Sequence, residues 1–268
     1  MAVFGGQLPS SVPRFRPNNT PPRKIATSLK GLDNIIELVE VDDIDPGPDK
    51  GWFFSGRFGP PRDPATGVHY LRELYQKSDP TFSGRVTIPV LWDKETSSIV
   101  NNDSADIIRI LYTAFDEFLP LTFRESEKKT AGLFPHHLRD EIESMNTWVS
   151  DTVNNGVYKC GFASTQEAYD ENIYPLFKSL DRLELHLARS EFEGPYLFGK
   201  HITEADIRLF PTLIRFDVGY YMLFKLNLGM IRSAFKKTTN FDRMKYGYNK
   251  VKGDAITPAG PKPDIHPL

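Results

Sequence analysis

The apolar residues of this chain change their spacing once, and that change limits what the chain can fold into. Up to about residue 115, short β-branched runs alternate with turn-rich stretches. Beyond residue 132, apolar positions step by three and four. In the first half, residues 35–41 (IIELVEV) read as a strand. Residues 86–92 (VTIPVLW) and 98–101 (SIVN) read as a hairpin joined across DKETS. Residues 42–64 are dense in Gly, Pro and Asp and read as loop. Val68, Leu71, Leu74 and Tyr75 recur at helical spacing. A helix then opens at DSADIIRIL, with Asp103 as N-cap and Asp106 as its capping partner.

The second half reads as helix throughout. Leu138, Ile142, Met145, Val149 and Val153 form one buried stripe. STQE at residues 164–167 has the form of a capping box, and Leu176, Leu180, Leu183 and Leu187 carry the core face of the helix that follows. TEAD at residues 203–206 starts a further helix in the same way, with a kink expected near Phe210 from Pro211. The proline-rich residues after Asp254 read as an extended arm. No strand-like alternation is visible in residues 1–16.

Composition narrows the function class. A chain of 268 residues with 40% hydrophobic and 25% charged residues fits one large or two modest globular domains. A formal charge of −2 gives no field to attract nucleic acid or an anionic membrane. The one cysteine, Cys160, rules out an intrachain disulfide and points to a reducing, cytoplasmic setting, and no basic-then-apolar leader opens the sequence. The apolar region 209–231 is interrupted by Arg215, Asp217 and Lys225, so it reads as a buried helix rather than a membrane span. No P-loop or GxGxxG is present, and His136 and His137 have no partner at metal-ligand spacing, so no metal site is expected.

Several residues have chemistry that a site can use, each beside a plainer reading. Pro89 within RVTIPVLWD belongs at an edge, a bulge or a cis turn. At a cis turn, Ile88 would offer its backbone to a peptide-like ligand; otherwise Pro89 is an ordinary edge-strand proline. Asp103 and Ser104 start a helix whose free N–H groups suit an anion while the carboxylate suits an ammonium, as in an amino-acid head; the plain alternative is a cap. Trp52 either stacks on a ligand or plugs the core. Tyr158 either donates a proton or sits as a satisfied amphipathic tyrosine. Cys160 reads as a small buried hydrophobe, with the adjacent Lys159 leaving a thiolate open.

Five stretches taken together resemble one family. GWFFSGR, YLRELYQKSDPTFSGRVTIPVLWDKETSSIVNNDSADIIR, DTVNNGVYKCGFASTQEAYDENIYPLF, PYLFGKHITEADIRLFPTLIRFDVGYY and KKTTNFDRMKYGYNK are similar to the xi-class glutathione transferases, the S-glutathionyl-hydroquinone reductases. The resemblance covers most of the chain from about residue 23 and implies an α/β thioredoxin-like domain followed by an all-α domain. The boundaries expected are an irregular arm over 1–22, the glutathione-binding domain over 23–118, the helical domain over 119–253 and a tail over 254–268. By position, Trp52, Arg85, Val86, Thr87, Ile88 with a cis Pro89, Asp103 and Ser104 fall where the family binds glutathione, Asp103 standing where the family usually has Glu. Tyr158, Tyr220 and Tyr248 (or Tyr246) fall in the motifs that supply its active-site tyrosines. The resemblance further implies glutathione as cosubstrate, an aromatic or quinone-like partner, and a homodimer.

Two departures stand out against that family. It places a strand and then CPWAxR before its first helix, and the cysteine attacks the sulfur of a glutathionylated hydroquinone. Here the stretch counted back from KGL falls at residues 17–22, without a cysteine or a convincing first strand. Between MIR and FKKTTNFD the family also carries about another helix. The expected activity is therefore glutathione-dependent reduction of S-glutathionyl hydroquinones or, without the cysteine, glutathione conjugation or isomerisation. The alternative is a non-catalytic binder of glutathione or a hydrophobic ligand.

Overall fold

A computed structural model describes residues 2–4, 31–41, 43–45, 51–57, 59–188 and 193–226. Four features read from the sequence lie outside these residues: the first helix within KIATSLKGL, the segment 17–22, Tyr246 and Tyr248, and the C-terminal tail. The chain divides into two compact units, whose border in sequence lies between Glu127 and Lys128.

The first unit is built on a four-stranded sheet. Its strands are β1 (Ala2–Phe4), β2 (Ile36–Leu38), β5 (Leu91–Asp93) and β6 (Ser98–Asn101), in the order β2-β1-β5-β6. β1 runs antiparallel to β2 and parallel to β5, and β5 pairs antiparallel with β6. This is the mixed sheet expected of a thioredoxin-like domain, and it has its first strand. That corrects the sequence reading at residues 2–4, where it found no strand and placed an irregular arm. Three residues, AVF, are too few to show alternation. β1 is nonetheless an inner strand, with a neighbour on each side. A second correction concerns residues 42–64, read as loop. They contain the antiparallel pair β3 (Asp43–Asp45) and β4 (Gly51–Phe53), which places Trp52 on a strand opposite Ile44. The Gly/Pro/Asp density of this stretch hid the two strands.

Two helices cover the sheet. In α1 (Leu71–Ser78), Leu71, Leu74 and Tyr75 are buried. They join Val39, Val41, Phe54, Val68, Val90 and Trp92 in one core cluster. In α2 (Ser104–Thr113), Ile107 and Leu111 join Leu32, Ile36, Leu91, Phe115 and Leu119 in a second. Adjacent Leu91 and Trp92 thus face opposite clusters, as the period of two along a strand requires. The segment after α2 stays with this unit beyond residue 118. Phe115 and Leu119 fill its core, Asp116 accepts from the amides of Glu125 and Ser126 at 3.0 Å, and Arg124 Nε donates to the Leu119 carbonyl.

The second unit is helical among its described residues. Its main helices are α3 (Arg139–Val149), α4 (Gly156–Gly161), α5 (Gln166–Leu187) and α6 (Glu204–Arg215). Two π-turns, Ser150–Asn154 and Phe216–Tyr220, continue α3 and α6. Ile142, Met145, Val149 and Val153 are buried as their spacing predicts, and they meet Ile173, Leu176, Leu180 and Leu183 of α5. Leu187 departs from the expected stripe and is 50% exposed at the end of α5. The expected capping box at 164–167 is displaced: Thr165 is the N-cap and accepts from the Ala168 amide at 3.2 Å. TEAD behaves as read, Thr203 and Asp206 closing a reciprocal box at the start of α6. The helix runs through Pro211 to Arg215, and the irregularity expected near Phe210 comes later, as the π-turn at Phe216–Tyr220. No helix among the described residues is long and apolar enough to cross a membrane.

Candidate functional site

In the first unit, the residues singled out from sequence fall on three adjoining pieces of structure. Residues 85–88 are the irregular segment that enters β5, with a cis peptide between Ile88 and Pro89. Asp103 and Ser104 form the N-terminus of α2, just beyond β6. Trp52 on β4 packs, with Val86 and Ile88, against the same buried cluster. It is half-buried, so the core-plugging reading of this tryptophan holds in part.

Two residues that sequence reasoning missed tie these pieces together. The Tyr75 hydroxyl, from α1, donates to the Thr87 carbonyl at 2.9 Å. Asn102 Nδ2 donates to the Tyr75 hydroxyl and to Thr87 Oγ1, both at 3.1 Å. Tyr75 is 5% exposed, so its hydroxyl is the buried node of a network joining residues 85–88 to the turn before α2. The main chain of Thr87 is thereby turned inward. Among the described residues, the backbone amides of Val86 and Ile88 on either side have no protein partner, which leaves them free to pair with a peptide. The spacing of Tyr75 on its helix marked it only as core; its partners are 12 and 27 positions away.

Asp103 caps α2. Its Oδ1 accepts from the amides of Ala105 and Asp106 at 2.8 and 3.0 Å, and its own amide donates to Asn101 Oδ1 at 2.7 Å. Asp106 does not close the box expected from sequence. Its carboxylate takes the Asn101 amide group at 3.3 Å, and Asn101 has already filled the position the box would use. Asp103 and Ser104 are both exposed, so a helix N-terminus with a carboxylate beside it faces solvent here.

The second unit holds the tyrosine site. Tyr158 on α4 and Tyr220 at the end of the second π-turn bring their hydroxyls to 3.0 Å. Tyr220 is 1% exposed and Tyr158 is 36% exposed, so one phenol anchors the pair and the other opens to solvent. Phe224 stacks on Tyr220, with ring centres 5.3 Å apart, and Phe162 stacks on Tyr158 at 6.1 Å. Gly161 is needed for this arrangement: a Cβ there would lie 2.3 Å from the Phe224 ring. Asn155, Tyr158, Lys159 and Phe162 line an open concavity of about 550 Å³. The thiolate option for Cys160 is not realised. The side chain is 2% exposed, burial pushes its thiol up to about 12, and the Lys159 charge offsets only part of that. The Lys159 ammonium itself reaches the Asp151 carboxylate at 2.6 Å. Among the described residues no three His, Cys, Asp or Glu side chains gather where a metal ion could sit.

Two family models match the chain: glutathione S-transferase, N-terminal domain, over residues 24–114, and glutathione S-transferase, C-terminal domain, over 166–241. Glutathione S-transferase omega-like 2 of Schizosaccharomyces pombe is 41% identical over 262 residues, covering 90% of this chain and 81% of that protein. Glutathionyl-hydroquinone reductase YqjG of Escherichia coli is 40% identical, covering 90% and 75%. The Xi glutathione transferase ECM4 of Saccharomyces cerevisiae, solved in complex with glutathione, superposes with a TM-score of 0.73 at 35% identity over 92% of this chain and 90% of that one. The chain belongs to the xi-class glutathione transferases. Against three further relatives it spans only 62%, 64% and 65% of their length. This xi-class chain carries its first strand at the N terminus, so the segment that follows the strand begins at residue 5 (GGQLPSS). That segment, like residues 17–22, has no cysteine.

Proposed function

We propose that this chain is a glutathione-dependent transferase acting on aromatic, quinone-like partners, with the thiol of glutathione itself as the attacking group. The observation that carries the reading is the Tyr158–Tyr220 hydroxyl pair beside the exposed ring of Phe162. A phenol steadied by a second phenol is a proton donor for an oxygen or ring carbon that gains negative charge as a carbon–sulfur bond forms or breaks. Phe162 offers an aromatic face to the ring of the partner. Glutathione is assigned to the first unit: its peptide to the amides of Val86 and Ile88, its γ-glutamyl head to Asp103 and Ser104, with Trp52 and Arg85 flanking. Tyr248 joins the tyrosines through the family resemblance alone. The only cysteine of the chain is buried and holds its proton, so a mixed disulfide on the protein is not part of the reading.

For an S-glutathionyl hydroquinone, the thiolate of a second glutathione attacks the adduct sulfur. A sulfur–sulfur bond forms, the carbon–sulfur bond breaks, and the ring carbon takes a proton, giving glutathione disulfide and the hydroquinone. For conjugation, the thiolate adds to the quinone ring and the oxygen takes the proton. A homodimer in a cytoplasmic setting belongs to the same reading. The test is glutathione-dependent release of hydroquinone from a glutathionyl adduct. The expected rate exceeds that of free glutathione by about a hundredfold, the range of general acid catalysis, and falls back in Tyr158→Phe. A rate equal to that of free glutathione, with glutathione still bound, would leave the chain a carrier. The absence of an accessible thiol among the described residues is the observation that favours that second reading.

A further inference from the structure

The two tyrosines lie on segments that regular helices would not aim at each other. Tyr158 follows the first π-turn, where the Asn155 amide donates to the Ser150 carbonyl five residues back. Tyr220 ends the second, where the Tyr221 amide donates to the Phe216 carbonyl in the same way. Each π-turn carries one extra residue, which rotates everything after it by roughly 100° about the helix axis. The hydroxyl contact at 3.0 Å therefore depends on two independent irregularities staying in register.

One side chain spans the two segments. Asn154, the last residue of the first π-turn, donates from Nδ2 to the Arg208 carbonyl of α6 at 3.2 Å. Its Oδ1 accepts from Thr212 Oγ1, one turn further along α6, at 2.8 Å. Thr212 is 5% exposed, so that bond is protected from water. Four residues after Asn154 in sequence comes Tyr158; eight after Thr212 comes Tyr220. We infer that Asn154 and Thr212 are positioning residues: their clamp sets the offset between the two π-turns and so holds the tyrosine hydroxyls in contact. This deepens the proposed role of the tyrosine pair and rests on it, while the clamp itself can be tested without substrate.

The experiment is NMR of the intact protein labelled with ζ-¹³C-tyrosine, since the ζ-carbon resonance reports the hydrogen bonding of each phenol. Tyr220→Phe defines where the Tyr158 resonance lies once the contact is lost. Thr212→Val, which keeps the shape of the side chain and removes its hydroxyl, is expected to move the Tyr158 resonance toward that position. Thr212→Ser restores a hydroxyl and is expected to return the resonance to its wild-type position. Asn154→Leu should act as Thr212→Val does; if it fails to fold, the Thr212 pair decides. A Tyr158 resonance unmoved in a folded Thr212→Val protein would overturn the inference, as would an equal displacement in Thr212→Ser. If the variants behave as expected and the hydroquinone assay shows no enhancement, the clamp stands and only the proposed reaction fails.

Discussion

At Cys160 two influences oppose each other: the Lys159 ammonium nearby favours the thiolate, and burial in the core of the second unit favours the thiol. Burial is the larger, and the thiol is pushed up to about 12. The folded-state value lies above the ordinary 9.0. The stability this group contributes is therefore fully present below about pH 9 and is lost as pH rises toward about 12. At pH 8 a thiol reagent should label native Cys160 on the order of a thousandfold more slowly than the unfolded chain, on thiolate fraction alone. Labelling at the rate of a free peptide would refute the assignment. The buried-hydrophobe reading of this residue was available from sequence because a lone Cys in an apolar helix has few other uses. Asp103 was legible for a similar reason: capping is local, and the residues that need the carboxylate lie two and three positions on. Tyr75 and Asn102 were not, because nothing in a helical stripe marks which tyrosine hydroxyl meets an asparagine 27 positions away.

Elements were legible where their signals span a full turn or more. The stripes of α3 and α5 gave the helical unit, and TEAD gave the start of α6. The short strands show the opposite limit. β1 and β4 have three residues each, one beside a glycine pair and the other inside a Gly/Pro-rich stretch, and neither displays a period. The π-turns are hidden for another reason. Val149 and Val153 keep the four-residue step of an ordinary helix across the first of them, so the apolar pattern does not register the extra residue. The cap of α6 allows an energetic check. Thr203→Ala removes the bonds of its hydroxyl to the Asp206 amide and carboxylate and should cost about 1 kcal/mol. Asp206→Ala strips acceptors from the Thr203 amide and hydroxyl and from the Leu197 amide. Leaving buried donors unpaired should bring its cost to about 2–4 kcal/mol. Denaturant unfolding measures both, and equal costs would contradict the role given to Asp206.

At the scale of the whole molecule, each unit carries one half of the proposed chemistry. The first unit presents the irregular segment 85–88 and a capped helix N-terminus, held together by Tyr75, Thr87 and Asn102. The second presents two phenols in contact beside an exposed aromatic ring. The family was legible from long motifs within both units, and the division into a mixed unit and a helical one from the single change in apolar period. Where the family's cysteine segment falls in this chain was not legible: counting back from KGL pointed to residues 17–22, which lie outside the described residues, and the first described strand is Ala2–Phe4. In the proposed reaction every thiol step falls to glutathione, so glutathione binding becomes the central claim. Isothermal titration of glutathione into the wild-type chain and into Asp103→Ala measures it directly. The account predicts saturable one-site binding, weakened by about tenfold or more in Asp103→Ala, as the loss of a charge-assisted contact requires. No binding to the folded wild-type protein, or equal affinity in the two proteins, would contradict it.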